Sequence, residues 1–454
     1  MNKDIFRQYD IRGIVGQDLT SETVELLGKG IGTYFRQRDC REVALGRDGR
    51  LSSPQFAKSF TKGLLSTGCN VFDLGTVPTP LLYFSIYFKN YEAGVMITGS
   101  HNPPEFNGFK MMLGKDTLFG DDIQDIFSLI QSGLFHEEDG ASAVAYDIAP
   151  EYENYVLNNI SVQKKLKIVV DAGNGTAGVI AVPIFKKLGC DVIELYCDVD
   201  GNFPNHHPDP TVSEALKDLI QKVVEEKADL GFAYDGDGDR IGVIDNLGQI
   251  IWGDKLMIVF VRDILASNPG AAIISEVKAS KLLYDEIEKL GGRAIMWKTG
   301  HSFIKKKIKE EHALFAGEMS GHIFFADRFF GFDDAIYSSA RLLELMSRSE
   351  ITLSQSLADL PKTYSTPEIR IYASDQVKFK IVDEVKKELA NKYPIIDIDG
   401  VRAIYPNGWA LVRPSNTQAI LVLRFEADSE KELQAIRSEV EKIIEEVIAR
   451  LGSS

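Results

Sequence analysis

Short apolar runs alternate with longer stretches of helical periodicity over most of this chain. Val43-Ala44-Leu45-Gly46 reads as a strand, residues 53–66 as a helix, and Val71-Phe72-Asp73-Leu74 as the next strand. The order restarts at Lys167-Ile168-Val169-Val170, with a helix running to Leu188 and a strand at Asp191-Val192-Ile193-Glu194-Leu195. It restarts again at Ala272-Ile273-Ile274-Ser275, with a helix over 279–290. Three such units predict three α/β domains with mostly parallel sheets, because a parallel pair needs a crossover long enough for a helix. The end of the chain breaks this rhythm. Gly408-Trp409-Ala410-Leu411-Val412-Arg413 and Ala419-Ile420-Leu421-Val422-Leu423-Arg424-Phe425 flank a short polar loop, and 430–451 is a charged amphipathic helix. That pattern predicts a smaller α+β domain. Turns near Asp139-Gly140 and Asn246-Leu247-Gly248, then Pro361 and Pro367, divide the chain into 1–147, 148–250, 251–362 and 363–454. The four units are expected to surround a central cleft.

Composition narrows the class. With 454 residues the chain is too long for one core, and 44 % apolar and 26 % charged residues suit a soluble globular protein. The net charge of −15 argues against nucleic acid as a partner, and an anionic substrate then needs a locally basic cleft. No apolar run approaches a membrane span, and the N-terminus has no signal-peptide core. Cys40, Cys69, Cys190 and Cys197 show no Cys-x-x-Cys spacing, and two of them are placed in strand-like segments. They read as free thiols of a cytoplasmic protein. Nothing indicates an obligate protein partner.

Chemistry concentrates on loops at strand ends. Ala93-Gly94-Val95-Met96-Ile97 leads into Thr98-Gly99-Ser100-His101-Asn102-Pro103 and then to Lys110. This sets a hydroxyl on a glycine-flanked loop beside an imidazole, where α/β proteins present nucleophiles. Asp235-Gly236-Asp237-Gly238-Asp239-Arg240 follows the strand-like Leu230-Gly231-Phe232-Ala233. Three carboxylates at alternate positions can converge on one hard cation such as Mg²⁺. A solvated acidic turn is the bland alternative. An EF-hand is a sharper rival, but Arg240 stands at its sixth-position glycine and Asn246 at its final glutamate. Gly317-Glu318-Met319-Ser320-Gly321-His322 groups a carboxylate, a hydroxyl and an imidazole suited to sugar hydroxyls, although such a turn alone is usually structural. Arg413-Pro414-Ser415-Asn416-Thr417 gathers donors for a phosphate, against the alternative of an ordinary hairpin turn.

Together, these four motifs resemble those of the α-D-phosphohexomutases, over essentially the whole chain and in family order. Methionine at 319 is similar to the phosphomannomutase/phosphoglucomutase members of that family, whereas phosphoglucosamine mutases more often carry glutamine. Gln418 departs from the residues usual after Thr417. Tyr9-Asp10-Ile11-Arg12-Gly13, Glu276-Val277-Lys278 and Lys298-Thr299-Gly300-His301-Ser302 resemble further cleft segments.

The resemblance implies interconversion of hexose 6-phosphate and hexose 1-phosphate, of mannose or glucose, through a phosphoserine and a hexose 1,6-bisphosphate. Ser100 would carry the phosphoryl group and, with Asp235, Asp237 and Asp239, bind Mg²⁺. Arg12 and Lys110 would face the phosphoryl charge, and His322, His101 and Lys110 remain open as acid or base. Tyr9, Arg240, Lys278, His301, Glu318, Ser320 and His322 would contact substrate. Arg413, Ser415, Asn416 and Thr417 would hold its non-reacting phosphate. If Arg12, Lys110, Arg240, Lys278 and Arg413 all converge, their charge offsets the aspartates with Mg²⁺, the phosphoserine and the substrate to near neutrality. Phosphoglucosamine mutase and a Mg²⁺-dependent sugar phosphatase are the alternatives.

One motif points elsewhere. Gly173-Asn174-Gly175-Thr176-Ala177-Gly178, with Asp198 beyond the next strand, has the spacing of a dinucleotide-binding fingerprint. A dehydrogenase would leave the serine, aspartate and Arg413 loops unexplained. These glycines therefore read as a tight strand-to-helix turn with close packing.

Overall fold

The computed structural model describes residues 1–415 and 418–452. Its strands form four sheets in chain order. The first is seven-stranded and runs Ile11–Ile14, Phe106–Leu113, Ala93–Ile97, Glu42–Arg47, Asn70–Thr76 and Ala143–Ala145, with Asp116–Thr117 on Phe106–Leu113. The second runs Ile250–Ile251, Ile241–Asp245, Leu230–Tyr234, Lys167–Asp171, Asp191–Leu195, and the third Arg293–Trp297, Ala272–Glu276, Phe315–Gly317, Ile323–Phe325.

Each of these three has a parallel centre and at least one antiparallel strand toward an edge. Ala93–Ile97 turns back as Phe106–Leu113, Leu230–Tyr234 as Ile241–Asp245, and Phe315–Gly317 as Ile323–Phe325. Each reversal needs only a loop instead of a crossover, and each of those loops carries one of the predicted motifs. The fourth sheet, built from strands between Tyr364 and Ala427, pairs antiparallel throughout.

Local chemistry explains the main helices. Thr20 accepts from the Thr23 amide and starts Ser21–Arg36 with a capping box. Pro80 begins Thr79–Lys89, whose Leu81, Leu82, Tyr83, Phe84 and Ile86 are all buried. A helix apolar on all sides must be enclosed, and this one fills the junction of the first three units. Glu430–Gly452 buries Leu433, Ile436, Val440, Ile443, Ile444 and Val447 against the fourth sheet at helical spacing.

One apolar core runs through Leu82, Ile168, Leu256 and Phe332, linking the first three units. The fourth has its own core and meets the third through the small cluster Val277, Trp409 and Leu411. All four cysteines are free and lie just outside the strands rather than in them. Burial pushes the thiols of Cys40 and Cys197 up to about 12 and that of Cys190 to about 11. Among the described residues no helix is long and apolar enough to cross a membrane.

Candidate active site

The serine loop begins where the buried strand Ala93–Ile97 ends. A Cβ at Gly99 would lie 2.3 Å from the Arg50 guanidinium carbon, so only glycine lets that group close on the backbone. Arg50 donates to the carbonyls of Ser100 (2.8 Å), Asn102 (2.6 Å), Pro103 (2.6 Å) and Phe106 (2.9 Å). Asp48 accepts from the Gly99 amide at 3.0 Å and from Arg50 at 3.1 Å. Held this way, Ser100 adopts a left-handed backbone (φ 48°), a strained conformation of the kind that persists where surroundings over-determine it. Its hydroxyl donates to Asp235 Oδ2 at 2.8 Å and lies 3.1 Å from His101 Nδ1.

The aspartate loop joins Leu230–Tyr234 to Ile241–Asp245. Asp235, Asp237 and Asp239 are fully buried, and one oxygen of each lies within 4.8 Å of the others. Lys110 Nζ bonds Asp237 at 2.8 Å and Asp239 at 2.5 Å, and the Thr79 hydroxyl donates to Asp237 at 2.6 Å. Among the described residues, Asp237 Oδ1 and Asp239 Oδ1 are buried and accept no hydrogen bond. One ammonium against three carboxylates and two orphaned acceptors is a donor set that fits a divalent cation. Burial, then the charges of Asp239 and Asp237, raise the Asp235 carboxyl well above its ordinary value. Burial opposes the charge of Lys110 too, but Asp237 and Asp239 hold it protonated.

A second buried group, Asp239, His322 and Asp333, has the same compactness but different chemistry. Arg240 Nε donates to His322 Nε2 at 3.0 Å, so a neutral ring carries its proton on Nδ1. That atom sits 3.0 Å from Asp333 Oδ2 and 3.7 Å from Asp239, without the alignment of a formed hydrogen bond. A metal there would need the Nδ1 lone pair and would force Arg240 away. Asp333 is held by Lys305 at 3.0 Å, and the His301 and His322 rings stack with centroids 5.4 Å apart. Burial and the nearby cations push His101 and His301 well below the usual imidazole range.

A second cluster meets at Thr299. Tyr9 Oη donates to its carbonyl at 3.0 Å, its amide donates to Asp399 at 3.0 Å, and its hydroxyl to Glu276 at 3.1 Å. Asp399 also accepts from Arg413 Nε at 3.0 Å. Glu276 caps the amides of Lys278 (2.6 Å) and Met319 (3.2 Å), while Glu318 accepts from the Gly300 amide at 2.7 Å. Burial raises the Glu318 carboxyl. Ser320 is half-buried in the same turn, and the Gly321 carbonyl accepts from Ile241 at 3.0 Å, which latches this loop to the aspartate loop. Lys378 holds the Ser415 carbonyl at 2.5 Å. Asn416 and Thr417 lie outside the described residues.

Thus Ser100, His101, Lys110, Asp235, Asp237, Asp239, Arg240, His322 and His301 form one linked group, with Arg12 attached through Asn102 at 2.6 Å. Tyr9, Glu318 and Arg413 gather around Thr299. The five cations do not stand alone against the anions of the site. Arg12 pairs with Asp10, Lys278 with Glu368 and Arg413 with Asp399, while Asp333 and Lys305 belong to the site as well. Arg50, Thr79, Asp333, Asp399 and Lys378 escaped sequence reasoning as site residues. Only Arg50 carried a local signal, because Asp48-Gly49-Arg50 follows a strand end just as the other motifs do.

A strained serine against three buried aspartates, at the meeting of three α/β units and a fourth, is suited to phosphoryl transfer. The chain belongs to the phosphoglucomutase/phosphomannomutase family. It matches the family's alpha/beta/alpha domains I, II and III over residues 3–137, 150–248 and 252–364, and its C-terminal domain over 368–443. It is 51 % identical to a phosphomannomutase/phosphoglucomutase of Pseudomonas aeruginosa over 96 % of this chain and 94 % of that one. A phosphoglucomutase of Neisseria meningitidis serogroup A is 46 % identical, with 98 % and 97 % covered. A crystal structure of a phosphoglucomutase/phosphomannomutase family protein from Burkholderia thailandensis superposes with TM-score 0.93 at 41 % identity, covering 98 % of each chain.

Proposed function

We propose that this protein interconverts hexose 6-phosphates and hexose 1-phosphates, of mannose, glucose or both, through phosphorylated Ser100. The observation that carries this reading is the Ser100 hydroxyl, strained in backbone and set 2.8 Å from the first of three buried aspartates. Phosphoserine would transfer its phosphoryl group to the free hydroxyl of the bound sugar phosphate. The bond from phosphorus to the serine oxygen breaks as the bond to the sugar oxygen forms, and the sugar hydroxyl gives its proton to a base. The hexose 1,6-bisphosphate then turns around, and its other phosphate returns to Ser100.

Asp235, Asp237 and Asp239, with an oxygen on Ser100, would hold Mg²⁺, which supplies positive charge against the transferring group. Lys110, held charged between Asp237 and Asp239, is suited to face phosphoryl oxygens rather than to accept a proton. The imidazole of His101, kept neutral by burial and set 3.1 Å from the Ser100 hydroxyl, is the better candidate for the base, because the lone pair of His322 is already engaged by Arg240. Arg413 and the Ser415 loop would grip the non-reacting phosphate, and Lys278, Glu318 and Ser320 would read the sugar hydroxyls. Four unpaired thiols suit the reducing cytoplasm.

Peptide mapping of the active enzyme should place one phosphate on Ser100. Steady-state rates with glucose 1-phosphate, mannose 1-phosphate and glucosamine 1-phosphate should favour the first two. A phosphate on another serine, or no turnover of any of the three with glucose 1,6-bisphosphate present, would overturn the reading.

A further inference from the structure

The glycine-rich turn that mimics a dinucleotide fingerprint faces protein rather than open space. A Cβ at Gly175 would lie 2.8 Å from the Gly236 carbonyl oxygen and 2.9 Å from its Cα. The Thr176 amide donates to that same oxygen at 3.1 Å, and the Thr176 hydroxyl reaches it at 3.4 Å. Gly236 separates Asp235 from Asp237, and a Cβ on it would lie 2.6 Å from the Ser100 carbonyl oxygen. Backbone from the 173–178 turn, the aspartate loop and the serine loop is therefore stacked three deep with no side chain between.

The same segment supports the serine loop from behind. Asn174 is left-handed (φ 61°). It donates to the Asp198 carbonyl at 2.9 Å and accepts from Asn205 at 2.8 Å, which ties down the stretch after Asp191–Leu195. Within that stretch a Cβ at Gly201 would lie 2.5 Å from the Gly49 carbonyl oxygen and 2.8 Å from Arg50 Cα. Arg50 is the group that holds the serine loop.

We propose that the 173–178 turn is a positioning platform for the metal loop. It fixes the height of Gly236 beneath Ser100, and so sets the affinity of Asp235, Asp237 and Asp239 for a divalent cation. This inference rests on the metal role proposed above for those aspartates.

Two glycines of one turn make the test selective. Gly175 touches the aspartate loop. Gly178 faces the other way, where a Cβ would lie 2.7 Å from the Cys197 carbonyl oxygen. Direct Mn²⁺ binding to the full-length protein, read from the electron-paramagnetic-resonance signal of free Mn²⁺, is compared with thermal unfolding. Gly175→Ala should weaken Mn²⁺ binding about tenfold or more, as loss of an outer-shell support does. Gly178→Ala should lower the unfolding temperature while binding Mn²⁺ within about twofold of wild type. Thr176→Val, which keeps the amide but loses the hydroxyl, should weaken binding about two- to threefold, and it carries the test if Gly175→Ala does not fold.

Wild-type affinity in Thr176→Val or in folded Gly175→Ala, or an equal loss in Gly178→Ala, overturns the platform. Absence of Mn²⁺ binding in the wild type overturns the metal role itself, and the platform with it.

Discussion

The two junctions of this molecule are built differently. The first three units share one apolar core, into which Thr79–Lys89 is inserted with Tyr83 against Phe332 and Phe84 against Tyr152. The fourth unit touches the third through the small apolar cluster of Val277, Trp409 and Leu411, with Met296, Ile398 and Ile404 at its margin, and through buried polar groups. Arg402 reaches the carbonyls of Val277 (2.6 Å) and Ala279 (2.8 Å), and Arg424 reaches that of Lys278 and the Asp254 carboxylate. A continuous apolar core resists sliding, whereas a small polar junction permits domain motion. The chemistry-bearing Ser100 and the aspartates sit within the first kind of junction. The candidate phosphate grip at Arg413 lies across the second. The division suits an enzyme that must keep its reacting groups fixed, yet open for substrate to enter and product to leave.

The hardest blow to the fixed side is Ser100→Ala. It should reduce turnover by at least about 10³-fold and leave the unfolding temperature and circular dichroism unchanged. Full activity would remove Ser100 from the chemistry. Next, Asp237→Asn should cost about 10²-fold and shift the Mg²⁺ dependence upward, and chelation of the wild type should abolish activity reversibly. Activity that survives rigorous chelation would contradict the metal role.

On the movable side, Arg413→Ala should raise KM about tenfold and release more glucose 1,6-bisphosphate into solution, with the first three units intact. Solution scattering should show wild type contracting on substrate and the variant contracting less. Identical profiles with normal kinetics would put the closing contact elsewhere.

The smallest effect concerns a polar tie inside the rigid body. Tyr152 Oη donates to Asp334 at 2.9 Å, and burial raises that carboxyl to about 7. The folded pKa lies above the unfolded one, so the group's contribution is complete below about pH 4 and is lost as pH rises through 7. Asp334→Asn keeps the bond to the Tyr337 amide and does not titrate. Wild type should therefore lose stability relative to this variant between pH 5 and pH 8 in thermal unfolding. A constant difference would show that Asp334 is already ionised at pH 5.

The alternation of apolar runs and helical stretches, with the antiparallel ending, settled the class of the fold. Periodicity is local and survives without tertiary context. Residues in tight glycine-bounded loops after such runs were legible too, because Ser100, Asp235, Glu318 and Arg413 each stand at a strand end. Sequence did not disclose the groups that act across long chain separations. Thr79 bonds an aspartate 158 residues away. Asp399 and Thr299 come from loops of different units, and Arg50 looks like any surface arginine until the backbone of 100–106 wraps it. The glycine turn at 173 shows the same limit. Its spacing fits a phosphate cradle or a packed backbone equally well, and only the approach of Gly236 distinguishes them. Burial, pairing and shifted ionisation are properties of neighbourhoods, and neighbourhoods exist only once the chain has closed on itself.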